Sequence, residues 1–156
     1  MSLKESNFSS KDIKITHVNI LLPLIINKLE AKEIKLDLTL LGDEDLWDTI
    51  KMSRWIESIL LKLPLPVFYF DVSNTKEWTI VDGIQRLYTI QRFFIDKDLI
   101  LSDLEFLKDL NGQNYNDLEN RLLRILSDTS FLTYQIEAQT NEEVRKILFN
   151  RLRGIV

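Results

Sequence analysis

The chain has 156 residues, 45% of them hydrophobic and 28% charged, with a formal net charge of -4 and a pI near 5.1. That is the size of one domain with a real core, and it excludes a disordered chain. It also excludes a protein that coats nucleic acid through bulk positive charge, though not a local basic patch.

The absence of Cys excludes a disulfide framework, a Cys zinc site and a thiol nucleophile. The single histidine, His17, excludes a multi-His metal or nuclease centre within the chain and is expected to be a structural or surface residue. Gly42, Gly83, Gly112 and Gly154 are too scattered for a Walker or Rossmann phosphate loop. The longest apolar runs, 20–26 and 59–70, are interrupted by Pro23 and by Lys62, Pro64 and Pro66. Both fall short of the roughly 20 residues a membrane span needs. The polar N-terminus lacks the apolar core of a signal peptide, so a cytoplasmic location and no membrane partner are expected.

In chain order, residues 13–18 alternate as a short strand. Asn19 is placed to cap a helix running to about Ala31, with Pro23 tolerated near its first turn. Residues 34–38 alternate again. Asp48 caps a helix from Thr49 to about Leu61, whose core face is Met52, Ile56, Ile59, Leu60 and Leu63. Residues 67–70 and 78–81 are strands joined through Ser73-Asn74-Thr75. Asp82-Gly83 ends the second and opens a helix over 84–95. Ser102 with Glu105 forms a capping box for a short helix, and a further helix covers 116–126. Residues 132–138 alternate as a half-buried strand. Thr140 with Glu143 makes another capping box, before a helix running to about Arg153 with Gly154 as its stop. Interleaving without regular βαβ spacing predicts an α+β fold with a small mixed sheet surrounded by helices, residues 1–156 forming one domain.

The segment that carries chemistry is Trp78-Thr79-Ile80-Val81-Asp82-Gly83-Ile84-Gln85-Arg86-Leu87. A hydrophobic strand runs into a tight turn, and a helix starts with Gln85 and Arg86 in its first turn. The free N–H groups of that helix start favour an anion. Gly83 lets a ligand approach the backbone. Arg86 supplies a planar donor fork for phosphate oxygens. Asp82 suits a ribose hydroxyl, a water or a Mg²⁺ that bridges phosphates. The spacing of Asp82 and Gln85 is also that of a capping box, in which both merely close the helix end.

Several motifs resemble one family. Val81-Asp82-Gly83-Ile84-Gln85-Arg86-Leu87 is similar to the Asp-Gly-x-Gln-Arg motif of the N-terminal domain of GmrSD-type restriction proteins. Ser53-Arg54-Trp55-Ile56-Glu57 with Leu63-Pro64-Leu65-Pro66-Val67-Phe68 resembles that family's helix and proline-bounded strand, and Trp47 stands where it carries a Trp. Leu104-Glu105-Phe106-Leu107, Tyr115-Asn116-Asp117-Leu118 and Thr140-Asn141-Glu142-Glu143-Val144 fit as well, so the likeness covers roughly 36–153.

The resemblance implies a ParB/sulfiredoxin-like fold whose Gly83-Ile84-Gln85-Arg86 turn binds nucleotide phosphates. It implies nucleoside-triphosphate binding and hydrolysis with Mg²⁺, sometimes DNA nicking, in phage defence, beside an HNH-type nuclease domain or subunit. Asp82 and Arg86 would be the catalytic pair, with Asp82 as the metal ligand. Ile84 and Gln85 would line the nucleotide, and Arg54 and Glu57, one turn apart on their helix, would reach the same site. On the bland reading Arg54 and Glu57 are an exposed ion pair.

Three departures point to a fragment or a degenerate copy that binds without turnover. Leu40-Leu41-Gly42 replaces the family's Phe-Gln-Arg. Arg151-Leu152-Arg153-Gly154 replaces an Asn-Thr-Gly turn. The chain also ends before a nuclease domain could begin. A regulatory or DNA- or protein-contacting module is the second expectation, and a metal-dependent nicking domain the third.

Arg145, Lys146, Arg151 and Arg153 make the last helix basic at its C-terminal end. They either complement its dipole or form a DNA-facing patch. Arg121 and Arg124 are weaker candidates of the same kind. Asp71 is either a second metal-side carboxylate or the cap of the turn at Ser73. Trp55, Trp78, Phe93 and Phe94 are expected in the core.

Overall fold

The computed structural model describes residues 10–41 and 45–152. Five strands form one mixed sheet: β1 (Ile15–Leu21), β2 (Ile34–Lys35), β3 (Phe68–Asp71), β4 (Trp78–Asp82) and β5 (Ser130–Ile136). The helices are α1 (Leu22–Glu30), α2 (Thr49–Leu60), α3 (Ile84–Ile90), α4 (Asn120–Asp128) and α5 (Glu142–Leu152). The fold is α+β, as the interleaved pattern predicts. No helix among the described residues is long and apolar enough to cross a membrane.

The strand order is β1-β5-β3-β4-β2. β3 and β4 form the expected antiparallel pair, with a bulge between Tyr69 and Phe70. β5 enters between β1 and β3, antiparallel to the first and parallel to the second. Pleating sends Phe68, Phe70, Ile80 and Phe131 into one core with Ile25, Met52, Ile56, Leu87 and Phe93. Trp55 stacks on Phe131 at 5.9 Å inside that core. Val81 and Ile136 point to the opposite face, where α5 lies against β4 and buries Val144.

Asp48 caps α2 as expected, its carboxylate accepting the Lys51 N–H at 2.8 Å. α2 ends at Leu60, so Leu63 is 46% exposed and leaves the expected core face. α1, α2 and the α3 segment are each followed by a left-handed lysine, Lys32, Lys62 and Lys97, where glycine would be the usual stop. α3 continues through a π-turn, Gln91–Ile95. The wider turn buries the adjacent rings of Phe93 and Phe94, which meet edge to face at 5.1 Å.

Long-range pairing displaces several expected local elements. Asn19 is a strand residue rather than a cap, because β1 is zipped to β5 as far as Leu21, and α1 starts at Leu22 with Pro23 in its first turn. Only Ile34 and Lys35 of the 34–38 run join the sheet, beside β4. Ser102 and Glu105 cap no helix: their N–H groups bind Ser53 Oγ and the Glu57 carboxylate. The helix expected over 116–126 is a short 3₁₀ turn, Tyr115–Asp117, followed by α4. The last strand ends at Ile136 rather than Ala138. The Thr140 hydroxyl is taken by both backbone groups of Lys14, and Asn141 caps α5 by accepting the Glu143 N–H at 2.8 Å.

Candidate functional site

The apolar pattern of β4 holds Ile80 and Val81 buried on opposite faces and delivers Asp82 to the strand end beside Tyr69. Gly83 then turns the chain at φ +114°, and Ile84 begins α3. A Cβ at Gly83 would lie 2.6 Å from Phe68 Cδ1 and 3.0 Å from Arg86 Nη2. The glycine therefore makes room for this protein's own Phe68 and Arg86 where a Cβ would stand.

Arg86 is 7% exposed. Its Nη1 donates to Pro66 O at 2.7 Å and Val67 O at 3.0 Å, and its Cζ sits 4.5 Å from the Phe68 ring centroid. Nη2 stands 3.6 Å from Asp82 Oδ2. Burial pushes the guanidinium below its ordinary pKa, and the Asp82 carboxylate partly restores it. One nitrogen thus locks the proline-bounded chain before β3, while the other is held beside a half-exposed carboxylate.

Asp82 and Gln85 do not form the alternative capping box: Gly83 is the N-cap, without a side-chain bond. Gln85 reaches across instead, its Oε1 accepting the Trp47 N–H at 3.0 Å. Between these two segments lies a cleft of about 560 Å³. Residues 81–86 form one wall, and Leu41, Asp45, Trp47 and Leu152 complete the lining. Asp82, Gly83, Ile84, Gln85 and Arg86 therefore do gather around one cavity. Arg86 is the sole cation among its described lining residues, which also include the acids Asp45 and Asp82. The oxygen donors of these two aspartates suit Mg²⁺ that also takes phosphate oxygens. No cluster of three or more His, Cys, Asp or Glu forms an all-protein metal site among the described residues.

Arg54 and Glu57 do not join this cleft. Arg54 bonds Asp103 at 3.1 Å and Glu105 at 3.0 Å. Glu57 is 4% exposed and accepts the N–H groups of Glu105, Phe106 and Leu107 at 3.2, 3.0 and 2.8 Å. These two residues clamp the 103–107 loop to α2. The exposed Arg54–Glu57 pair of the bland reading is not formed either, because each side chain finds its partner in that loop.

Asp71 caps its turn, accepting the Ser73 N–H at 2.9 Å, and stands 3.7 Å from Arg145 Nη1. That pairing withdraws Arg145 from the basic surface, leaving Lys146 and Arg151 exposed. Arg153, Gly154 and Gly42 lie outside the described residues. Arg121 and Arg124 are exposed, Arg121 pairing with Glu119 at 3.3 Å. His17 is exposed on β1, its ring 6.0 Å from Tyr134. Asp45 lines the cleft but stands outside the motifs legible in the sequence. Its signal was the acidic run Asp43-Glu44-Asp45 just ahead of Trp47. The chain matches none of the family models, curated proteins or solved structures with which it was compared.

Proposed function

We propose that the chain is a ParB/sulfiredoxin-like nucleotide-binding module of the GmrSD N-terminal kind, binding a nucleoside triphosphate with Mg²⁺ in the Asp82–Arg86 cleft. The observation that carries this reading is a buried, fixed guanidinium beside a carboxylate at a strand–turn–helix junction, opening on a cavity of about 560 Å³. That volume is within the range of small-molecule sites, roughly 300–1,000 Å³. Arg86 Nη2 would meet a phosphate oxygen, and Gln85 would hold the Trp47 wall in place. Asp82, with Asp45 across the cleft, would hold Mg²⁺, whose chemistry is to neutralise phosphate charge.

The charge balance of the cleft favours binding over turnover. Two acidic residues line the cleft with one arginine, and that arginine spends Nη1 on main-chain carbonyls. Phosphoryl transfer needs positive charge on the transferring group, which this lining supplies poorly. A regulatory nucleotide-binding module, acting on or near DNA with an HNH-type nuclease domain or subunit, is therefore preferred to an independent hydrolase or nicking domain.

The test is thermal. ATP with Mg²⁺ at about a hundredfold over its dissociation constant should raise the melting temperature by roughly 5–10 °C. Asp82→Asn should abolish most of the rise while leaving the apo melting temperature near wild type. Arg86→Ala should remove the rise and also weaken the fold, since Pro66 and Val67 lose their donor. The same melting temperature for the wild type with and without nucleotide would refute the reading. Plasmid left supercoiled and phosphate unreleased after long incubation would separate binding from hydrolysis or nicking.

A further inference from the structure

Among the described residues β1 is paired on one side only, with β5, over an unbroken seven-residue register. The flanking bonds, Glu137 N–H to Lys14 O and Leu22 N–H to Thr129 O, fix its phase. Thr16, Val18 and Ile20 turn their backbone groups to β5. Ile15, His17, Asn19 and Leu21 turn theirs outward.

An open edge of this kind is ordinarily blunted by Pro, Lys, a bulge or a charge. β1 has none of these between Ile15 and Leu21. It is apolar at its rim instead: Ile15 is 39% exposed, Val18 43% and Leu21 51%, with Ile13 at 44% and Leu24 at 47% to either side. These five make up nearly half of the large exposed hydrophobics among the described residues.

We propose that β1 is a homodimer edge: two copies pair their β1 strands antiparallel about Val18, joining two five-stranded sheets into one continuous sheet. The strand is complementary to itself in that register. Ile15 opposes the partner's Leu21, His17 opposes the partner's Asn19, Thr16 opposes the partner's Ile20, and Val18 meets its own copy. Apolar stands on apolar at the ends and axis and polar on polar at 17 and 19, with Thr16 beside Ile20 as the mixed pair. The outward-turned residues 15, 17, 19 and 21 fall opposite one another, as antiparallel hydrogen-bonded pairs require. Moving the axis to His17 sets Ile15 against Asn19 and stacks two imidazoles. Moving it to Asn19 sets His17 against Leu21. Like-charge repulsion is absent from the seam: a chain of net charge -4 meets its copy along a strand with no Asp, Glu, Lys or Arg. The pairing is isologous and closed, so it stops at two copies.

Sedimentation velocity and light scattering on the whole chain should give a dimer at micromolar concentration. Val18→Lys and Val18→Glu should each be monomeric with unchanged circular dichroism, and their equimolar mixture should restore a dimer, because residue 18 faces its own copy. Val18→Cys, in a chain without other cysteines, should cross-link to a covalent dimer under oxidised glutathione. Thr16→Cys, displaced from the axis, should not. A monomeric wild type would overturn the proposal. So would a dimer that survives Val18→Lys, or equal cross-linking at 16 and 18.

Discussion

The Gln85 side-chain oxygen and the Trp47 backbone N–H meet at 3.0 Å, tying the first turn of α3 to the chain entering α2, 38 residues away in sequence. One side chain thus sets the spacing of the two cleft walls. Gln85→Ala should cost about 1 kcal/mol of stability. It should reduce the nucleotide-induced melting shift by more than that loss explains. Gln85→Glu keeps an acceptor and should preserve the tie. Denaturant titration and nucleotide-dependent melting of both variants measure the difference.

Gly83 is a stability position as well as a turn residue. Its φ of +114° strains any side chain, and the Cβ would collide with Phe68 at 2.6 Å. Gly83→Ala should therefore destabilise by about 2–4 kcal/mol. It should also push Arg86 off the Pro66 and Val67 carbonyls. Urea unfolding should report the first effect, and loss of protection from hydrogen exchange in β3 the second.

The 103–107 loop depends on one buried acid. Glu57→Ala leaves the N–H groups of residues 105, 106 and 107 without their acceptor. The expected loss is about 3 kcal/mol, or a fall of roughly 6–12 °C in melting temperature. Amide exchange should accelerate at these three positions first. Any change in nucleotide affinity should be small, since Glu57 does not line the cleft.

Acid should weaken the turn after β2. The Thr39 hydroxyl and backbone N–H both bond the Asp37 carboxylate and hold its pKa below the usual value. A depressed carboxyl contributes stability above its unfolded-state pKa and loses it as pH falls through the lower folded value. The stability gap between wild type and Asp37→Ala should accordingly be full near neutrality and narrow as the pH falls below the ordinary carboxylate range. Melting curves across that range test it.

The parts of the fold legible in the sequence are those set by neighbours. The β3–β4 pair, the Asp48 cap and the Asp82-Gly83 turn each follow from a few adjacent residues, and each stands where the pattern predicts. The misread parts are set by partners about 50 to 120 residues away. Glu57 looks like a helix-surface acid until the 105–107 amides fold onto it. Asn19 looks like a cap until β5 claims it, and Thr140 until Lys14 does. The site shows the same division. Residues 82–86 are contiguous and legible together, whereas Asp45 joins them only through the Gln85–Trp47 tie. Arg54 belongs to a separate motif of the same resemblance and spends its charge on Asp103 and Glu105.

Threading β5 between β1 and β3 has a consequence for how the chain is made. β1 leaves the ribosome well before β5, since the register partner of Ile15 is Ile136, 121 residues later. While the intervening residues are translated, an uncharged ribbon stays uncommitted, exposed to misassociation. Slow codons after β4, or starvation during that interval, should raise the aggregated fraction. Holdase chaperones that shield residues 13–24 should lower it.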